Sequence, residues 1–126
     1  ATGIDAGRLL QVLAVLERRG GLTFAGHDVY VSVAGGVRVT EPAVDVPLAI
    51  ALASARQDRP VELDTVAFGE VALTGLVRPV ARSEARMREA ARQGLRTIVA
   101  PASSAPPDGV RLLAPHSVSE LVALGW

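Results

Sequence analysis

The apolar stretch from Val44 to Ala53 constrains the fold more than any other part of this sequence. It contains Asp45 and Pro47, and its second half is apolar on almost every side, which is typical of a helix enclosed by a core. Pro47 is compatible with a helix that begins near Ala43, because the amides of the first turn have no intrahelical partner to lose. The stretch is about half as long as a membrane span. The sequence therefore predicts a central buried helix from Pro42 to about Arg56.

Segments of helical and of strand periodicity alternate along the rest of the chain. Further helices are predicted over Ile4–Arg19, over residues 82–93 and from the cap residue Ser117 to Leu124. Strands are predicted over Thr65–Glu70, Val71–Val80, Thr97–Ala100 and Leu112–Leu113, and a hairpin turning at Gly35-Gly36 over Leu22–Thr40. Ala102–Gly109 is predicted to be a loop. This order predicts an α+β fold with a mixed sheet and packed helices, in one domain over residues 1–126.

Composition excludes several kinds of chemistry. The chain has no cysteine, so disulfides, zinc knuckles, iron–sulfur clusters and cysteine nucleophiles are excluded. All 13 cationic residues are arginine, which removes any lysine base or Schiff-base lysine. His27 and His116 have no neighbouring residues spaced as in a zinc signature, and both are interpreted as surface histidines. We therefore expect no metal or cofactor in this segment.

Other enzyme motifs are also missing. No serine lies in a Gly-x-Ser-x-Gly elbow, and the glycine pairs fit neither a Walker loop nor a dinucleotide fingerprint. A Ser-His-Asp site assembled in space is not excluded by counting residues.

The only charge asymmetry lies between Arg78 and Arg96, where six arginines face two glutamates. Arginine suits bidentate contact with phosphate, which favours a nucleic-acid backbone as partner. The alternative is a solvated helix face with local Arg–Glu pairs. The chain has only four aromatic residues and a net charge of +0, so any contact with nucleic acid is expected to be electrostatic and insensitive to sequence.

Four segments carry a resemblance to a known family. They are residues 26–39, the Glu-Pro-Ala-Val-Asp run at 41–45, the Gly-Glu-Val-Ala-Leu-Thr-Gly-Leu-Val-Arg-Pro-Val stretch at 69–80, and residues 94–101. Together they resemble the Lon-protease-like C-terminal domain of the bacterial RadA (Sms) family of DNA repair proteins. The resemblance covers nearly the whole chain and implies the fold of the Lon proteolytic domain.

The same resemblance implies that the peptidase site is degenerate. Active Lon peptidases place a nucleophilic serine after a Gly-Pro pair and a lysine base after a Pro-Ile/Val-Gly-Gly stretch. These positions fall on Ala43 and Glu84 here, and alanine cannot attack a carbonyl carbon. A divergent peptidase that uses Thr40 or Ser32 is the weaker alternative.

The resemblance further implies a scaffold that builds a hexameric ring and contacts DNA during branch migration. Arg78, Arg82 and Arg86 are then the leading phosphate contacts, with Arg38 as a fourth. We expect a cytoplasmic fragment of a longer DNA-dependent ATPase, whose zinc finger and RecA-like core, with their Zn, ATP and Mg, lie outside this sequence. A recombinase of the RecA type is a further expected partner. The alternative is a pure oligomerisation module that does not touch DNA.

Overall fold

Asp5 fixes the start of the first helix, because its carboxylate accepts a hydrogen bond from the Arg8 amide and satisfies a donor without an intrahelical partner. The computed structural model describes residues 1–102 and 105–124, and in it this helix, α1, spans Ala6–Gly20. Gly21 follows with a φ of 74°, the left-handed conformation that commonly ends helices. The predicted N-terminal helix is confirmed, with a start two residues later.

The central helix begins with a 3-10 turn, Pro42–Val44, and continues as α2, Asp45–Gln57. Pro47 lies in the first turn of α2, so its missing amide removes no helical hydrogen bond. Seven of the 13 residues of α2 are buried. The prediction of a central core helix is confirmed.

Five short strands form two separate sheets among the described residues. β1 (Thr65–Ala67), β4 (Thr97–Val99) and β5 (Arg111–Leu113) form a parallel sheet in the order β1-β4-β5. β2 (Glu70–Val71) and β3 (Val77–Arg78) form an antiparallel pair. The prediction of a single mixed sheet was therefore wrong, because parallel and antiparallel pairing occur in different sheets.

Two further helices confirm the remaining helical predictions. α3 spans Ser83–Arg92, and α4 spans Val118–Val122. Ser117 caps α4 as expected, since its hydroxyl accepts a hydrogen bond from the Glu120 amide at 3.3 Å. α4 ends two residues before the predicted Leu124. No described helix combines the length and apolarity that crossing a membrane requires.

The parallel sheet separates two parts of the core. Its strand register aligns Val66, Ile98 and Leu112 on the face that packs with Met87 and Ala90 of α3. The next residue of each strand packs into the larger cluster formed by α1, α2 and α4; these residues are Ala67, Val99 and Leu113. Successive strand residues point to opposite faces, so α3 packs on one side of the sheet, whereas α1, α2 and α4, the other α-helices of the described residues, pack on the other.

The hairpin predicted over Leu22–Thr40 is wrong. This segment pairs with the N-terminal residues through two parallel bridges, Thr2 with Ser32 and Ile4 with Val39. A 3-10 turn at Ala34–Gly36 bulges out between the two bridges, and the chain continues in the same direction. The N-terminal segment therefore takes the place of the second hairpin arm. In the predicted loop Ala102–Gly109, residues 103 and 104 lie outside the described part, as does Trp126.

Candidate nucleic-acid interface

A groove with a volume of about 550 Å³ opens between α3 and strand β1. We call it the α3 groove. Its apolar lining comes from Val66, Ala67, Phe68, Ala85, Ala90 and Leu95. Its polar lining comes from Glu41, Arg82, Arg86, Glu89 and Gln93. The groove therefore brings together two of the four predicted DNA contacts, Arg82 and Arg86.

Arg86 is held in the α3 groove by three contacts. Its Nε donates to the carbonyl oxygen of Ala81 at 3.0 Å, and its Nη2 donates to Oε2 of Glu41 at 3.1 Å. Its guanidinium also lies 5.8 Å from the ring centroid of Phe68, within the range of a cation–π interaction. The side chain is 29% exposed. Arg86 is thus positioned and already paired in the free protein.

Arg82 differs from Arg86 in being unpaired. It is exposed, and its side chain makes no hydrogen bond or ion pair with the described residues. Its backbone has a φ of 61° and a ψ of 32° at the start of α3, a left-handed conformation that is uncommon for a residue with a side chain. Arg82 therefore contributes an uncommitted guanidinium group to the lining of the groove.

The other two predicted contacts lie outside the lining of the α3 groove. Arg78 is an exposed residue of β3, directly across the strand pair from Glu70. Arg38 is exposed and precedes Val39, the residue that bridges to Ile4. Neither side chain has a hydrogen-bond or ion-pair partner in the described part of the chain. Both are available as surface cations, but the geometry assigns them to other elements.

The negative charge of Glu89, which lines the groove, is balanced by Arg92 of the same helix. Its carboxylate accepts hydrogen bonds from Nε of Arg92 at 2.8 Å and from Nη2 at 2.9 Å. These hydrogen bonds lower the pKa of Glu89 below its ordinary value and raise the pKa of Arg92. The predicted Arg–Glu pairs on this helix face are confirmed here and, more loosely, between Arg88 and Glu84 at 4.0 Å.

The positions of the Lon-type serine and lysine lie in unlike surroundings. Ala43 is buried with Phe68 and Met87 in the apolar cluster on the α3 side of the sheet. The side chain of Glu84 is 74% exposed in the first turn of α3. The alternative nucleophiles, Ser32 and Thr40, are both exposed, and no described residue hydrogen-bonds to either hydroxyl group.

The described residues do not bring together the ligands of a metal site. Residues 1–102 and 105–124 contain no group of three or more His, Asp or Glu side chains spaced to bind a metal ion. Both histidines are exposed, as expected from the sequence. His116 does have a carboxylate four residues on, which the sequence interpretation left out: its Nδ1 lies 3.4 Å from a Glu120 oxygen, and this single pair does not make a metal site.

Sequence reasoning missed two acidic residues that organise the arginines. Asp45 is fully buried, and its carboxylate forms an ion pair with Nη1 of Arg8 at 2.5 Å. The same carboxylate accepts a hydrogen bond from the Val71 amide at 3.0 Å. Glu41 pairs with Arg86, as described above. The signal for Asp45 was a single acid inside an apolar stretch, since a buried charge needs a partner. Glu41 gave no such signal, because it lies in an exposed turn.

The comparison with known families decides the relationship of the chain. A family model described as subunit ChlI of Mg-chelatase matches residues 9–104. This chain belongs to that family. The match spans α1 from its fourth residue, α2, the sheet strands β1 and β4, the β2–β3 pair and α3. It therefore includes every element that lines the α3 groove.

Curated relatives of this family member are named DNA repair protein RadA. The protein from Escherichia coli (strain K12) is 42% identical over 98% of this chain. The protein from Treponema pallidum is 51% identical over 78% of this chain. The protein from Bacillus subtilis is 41% identical over 95% of this chain. The chain spans only 28%, 22% and 27% of these three relatives. It is thus related to about a quarter of each DNA repair protein.

Proposed function

We propose that this chain is a non-catalytic, Lon-like domain of a RadA-like DNA repair and recombination ATPase. The domain comprises residues 1–126, supports assembly of a hexameric ring and contacts the DNA backbone during branch migration without reading sequence. The observation that carries the proposal is the 42% identity to a DNA repair protein over 98% of the chain. ATP, Mg and Zn belong to other parts of the proposed parent protein. A recombinase of the RecA type is its proposed partner.

Three uncommitted arginines support the DNA contact. Arg38, Arg78 and Arg82 are exposed and have no side-chain partner among the described residues. Glu70 lies across the strand pair from Arg78, but none of the three guanidinium groups forms an ion pair with a described carboxylate, so each can contact a phosphate group. The total charge of the chain is +0, so attraction to DNA must come from such local groups rather than from a net positive charge.

The lack of a Lon-type nucleophile supports a scaffold over a peptidase. The chain has no lysine, and Ala43, at the position of the serine, carries only a buried methyl group. Alanine offers no group that can attack a carbonyl carbon, so Glu84, at the position of the lysine, has no hydroxyl nucleophile at residue 43 to deprotonate.

The DNA contact is tested by replacing Arg38, Arg78 and Arg82 together with glutamine. Fluorescence anisotropy of a labelled duplex would measure affinity between about 50 and about 200 mM salt. Loss of three phosphate contacts should weaken binding and reduce the slope of log K against log salt by about 3. Arg111→Gln is the control, because Arg111 already faces Glu62 at 3.9 Å and should change binding little.

Three results would contradict the proposal in different ways. An unchanged slope in the triple variant would remove these arginines from the interface. A wild-type chain that assembles but does not bind DNA at low salt would favour the pure oligomerisation module. A peptidase would require stoichiometric labelling by a covalent serine-hydrolase probe.

A further inference from the structure

An ion pair between Glu41 and Arg86 lies in the lining of the α3 groove. Both residues line the groove, and the carboxylate is 3.1 Å from Nη2 of Arg86. A carboxylate and a phosphate present similar oxygen acceptors to the guanidinium fork. In the free protein, the Glu41 carboxylate therefore accepts the hydrogen bond of Arg86 Nη2 that a phosphate group could accept in its place.

Arg86 is positioned independently of Glu41. Its Nε is hydrogen-bonded to the Ala81 carbonyl, and its guanidinium lies over Phe68. Phe68 is buried and cannot move away easily. Removing the Glu41 charge should therefore leave the guanidinium in place and expose its charge to a ligand.

Glu41, in contrast, is free to leave. Its side chain is 57% exposed, and Arg86 is its only side-chain partner in the described part of the chain. It precedes the 3-10 turn of Pro42–Val44, so rotation of its side chain alone releases Arg86. An ion pair between partly exposed groups is weak and readily exchanged.

From these observations we infer that the α3 groove is a phosphate-binding site whose entry is controlled by Glu41. The inference rests on the proposed function and names the regulation of one of its contacts. Arg86 and the unpaired Arg82 bind a backbone phosphate of DNA, and this phosphate displaces the Glu41 carboxylate from Arg86. Glu41 thus lowers the affinity of the free domain for DNA.

The test compares Glu41→Gln with wild type in binding of a labelled duplex at about 50 mM salt. Glu41→Gln should bind about threefold more tightly, because phosphate no longer competes with a carboxylate. Glu62→Gln is the matched control. It removes the same charge from an exposed pair with Arg111 at 3.9 Å, outside the groove lining, and should change affinity much less.

A double variant identifies the residue through which Glu41 acts. In an Arg86→Met background, Glu41→Gln should give no gain in affinity. Thermal unfolding would verify that each variant is folded, and Arg86→Gln would replace Arg86→Met if the latter is not.

Each outcome separates the inference from the proposed function. Equal gains from Glu41→Gln and Glu62→Gln, or a gain that persists without Arg86, would overturn the control by Glu41 while leaving DNA binding intact. A wild type that binds DNA with no gain in Glu41→Gln would do the same. Absence of DNA binding by every variant would overturn the proposed function and, with it, this inference.

Discussion

At the scale of single residues, the buried pair of Asp45 and Arg8 ties α1 to the start of α2. Asp45 is fully buried, whereas the Arg8 side chain is 26% exposed. Removing only the arginine would leave a buried carboxylate with the Val71 amide as its single described partner. An unpaired buried charge is strongly destabilising.

We therefore expect Arg8→Met to lower the free energy of unfolding by about 3 kcal/mol. The measurement is urea denaturation followed by circular dichroism. Arg18→Met is the control, because Arg18 is an exposed residue of the same helix without a side-chain partner in the described residues, and it should cost about 0.5 kcal/mol or less. Equal losses in the two variants would show that Asp45 does not depend on Arg8.

Gly69 is a second residue whose identity is dictated by its surroundings. Its φ is 148°, and a Cβ atom there would lie 2.8 Å from Cγ2 of Val46 and 3.0 Å from Cδ of Pro101. Both neighbours are buried, so neither can yield easily. Glycine is needed because the backbone of residue 69 passes directly against α2.

Gly69→Ala should therefore destabilise the chain by about 2 to 3 kcal/mol, through backbone strain and overpacking together. Gly94→Ala provides the comparison, since Gly94 has a φ of 83° but no atom within 4 Å of the added methyl group. That variant should cost only the backbone strain, about 1 kcal/mol. Chemical denaturation measures both, and a smaller loss at Gly69 than at Gly94 would contradict the close approach.

At the scale of elements, α3 carries a pH-dependent pair on its surface. Hydrogen bonds from Arg92 lower the pKa of Glu89 in the folded state. A lowered carboxyl pKa stabilises the fold above the ordinary glutamate pKa, and this stabilisation is lost as the pH falls through the lowered value. The pair is exposed, so the effect is expected to be small.

The stability of wild type relative to Glu89→Gln should therefore be greater at about pH 7 than at about pH 3. Thermal unfolding at the two values gives the comparison. Arg92→Gln should show the same loss of pH dependence, since it removes the partner of the same pair. A difference between wild type and Glu89→Gln that is independent of pH would show that the pair makes no contribution.

The helices and paired segments also show which parts of the fold could be predicted from the sequence. The four helices were predicted because their periodicity and caps, such as Asp5 and Ser117, act within a few residues. The hairpin predicted over Leu22–Thr40 does not form, because this segment pairs with the N-terminal residues and no local pattern reveals that choice of partner. The same limit applied to the site. The arginines were visible in the sequence, but the contact of Arg86 with Glu41 joins residues 45 positions apart.

At the scale of the whole molecule, the balanced charge predicts that one copy of the domain binds DNA weakly. The net charge is +0, and the proposed contacts are four arginines, of which Arg86 is already paired with Glu41. A few phosphate contacts per copy give little affinity at moderate salt. Several copies arranged in a ring would act together on one duplex and multiply that affinity.

Analytical ultracentrifugation with a labelled duplex tests whether DNA binding depends on this arrangement of copies. DNA should co-sediment with a ring-sized species and not with single copies, so bound DNA should rise steeply with protein concentration. Raising the salt from about 50 to about 200 mM should release the DNA while the protein remains assembled. The variant lacking Arg38, Arg78 and Arg82 should keep its sedimentation profile and lose the duplex. DNA carried by single copies would instead show that binding does not require assembly.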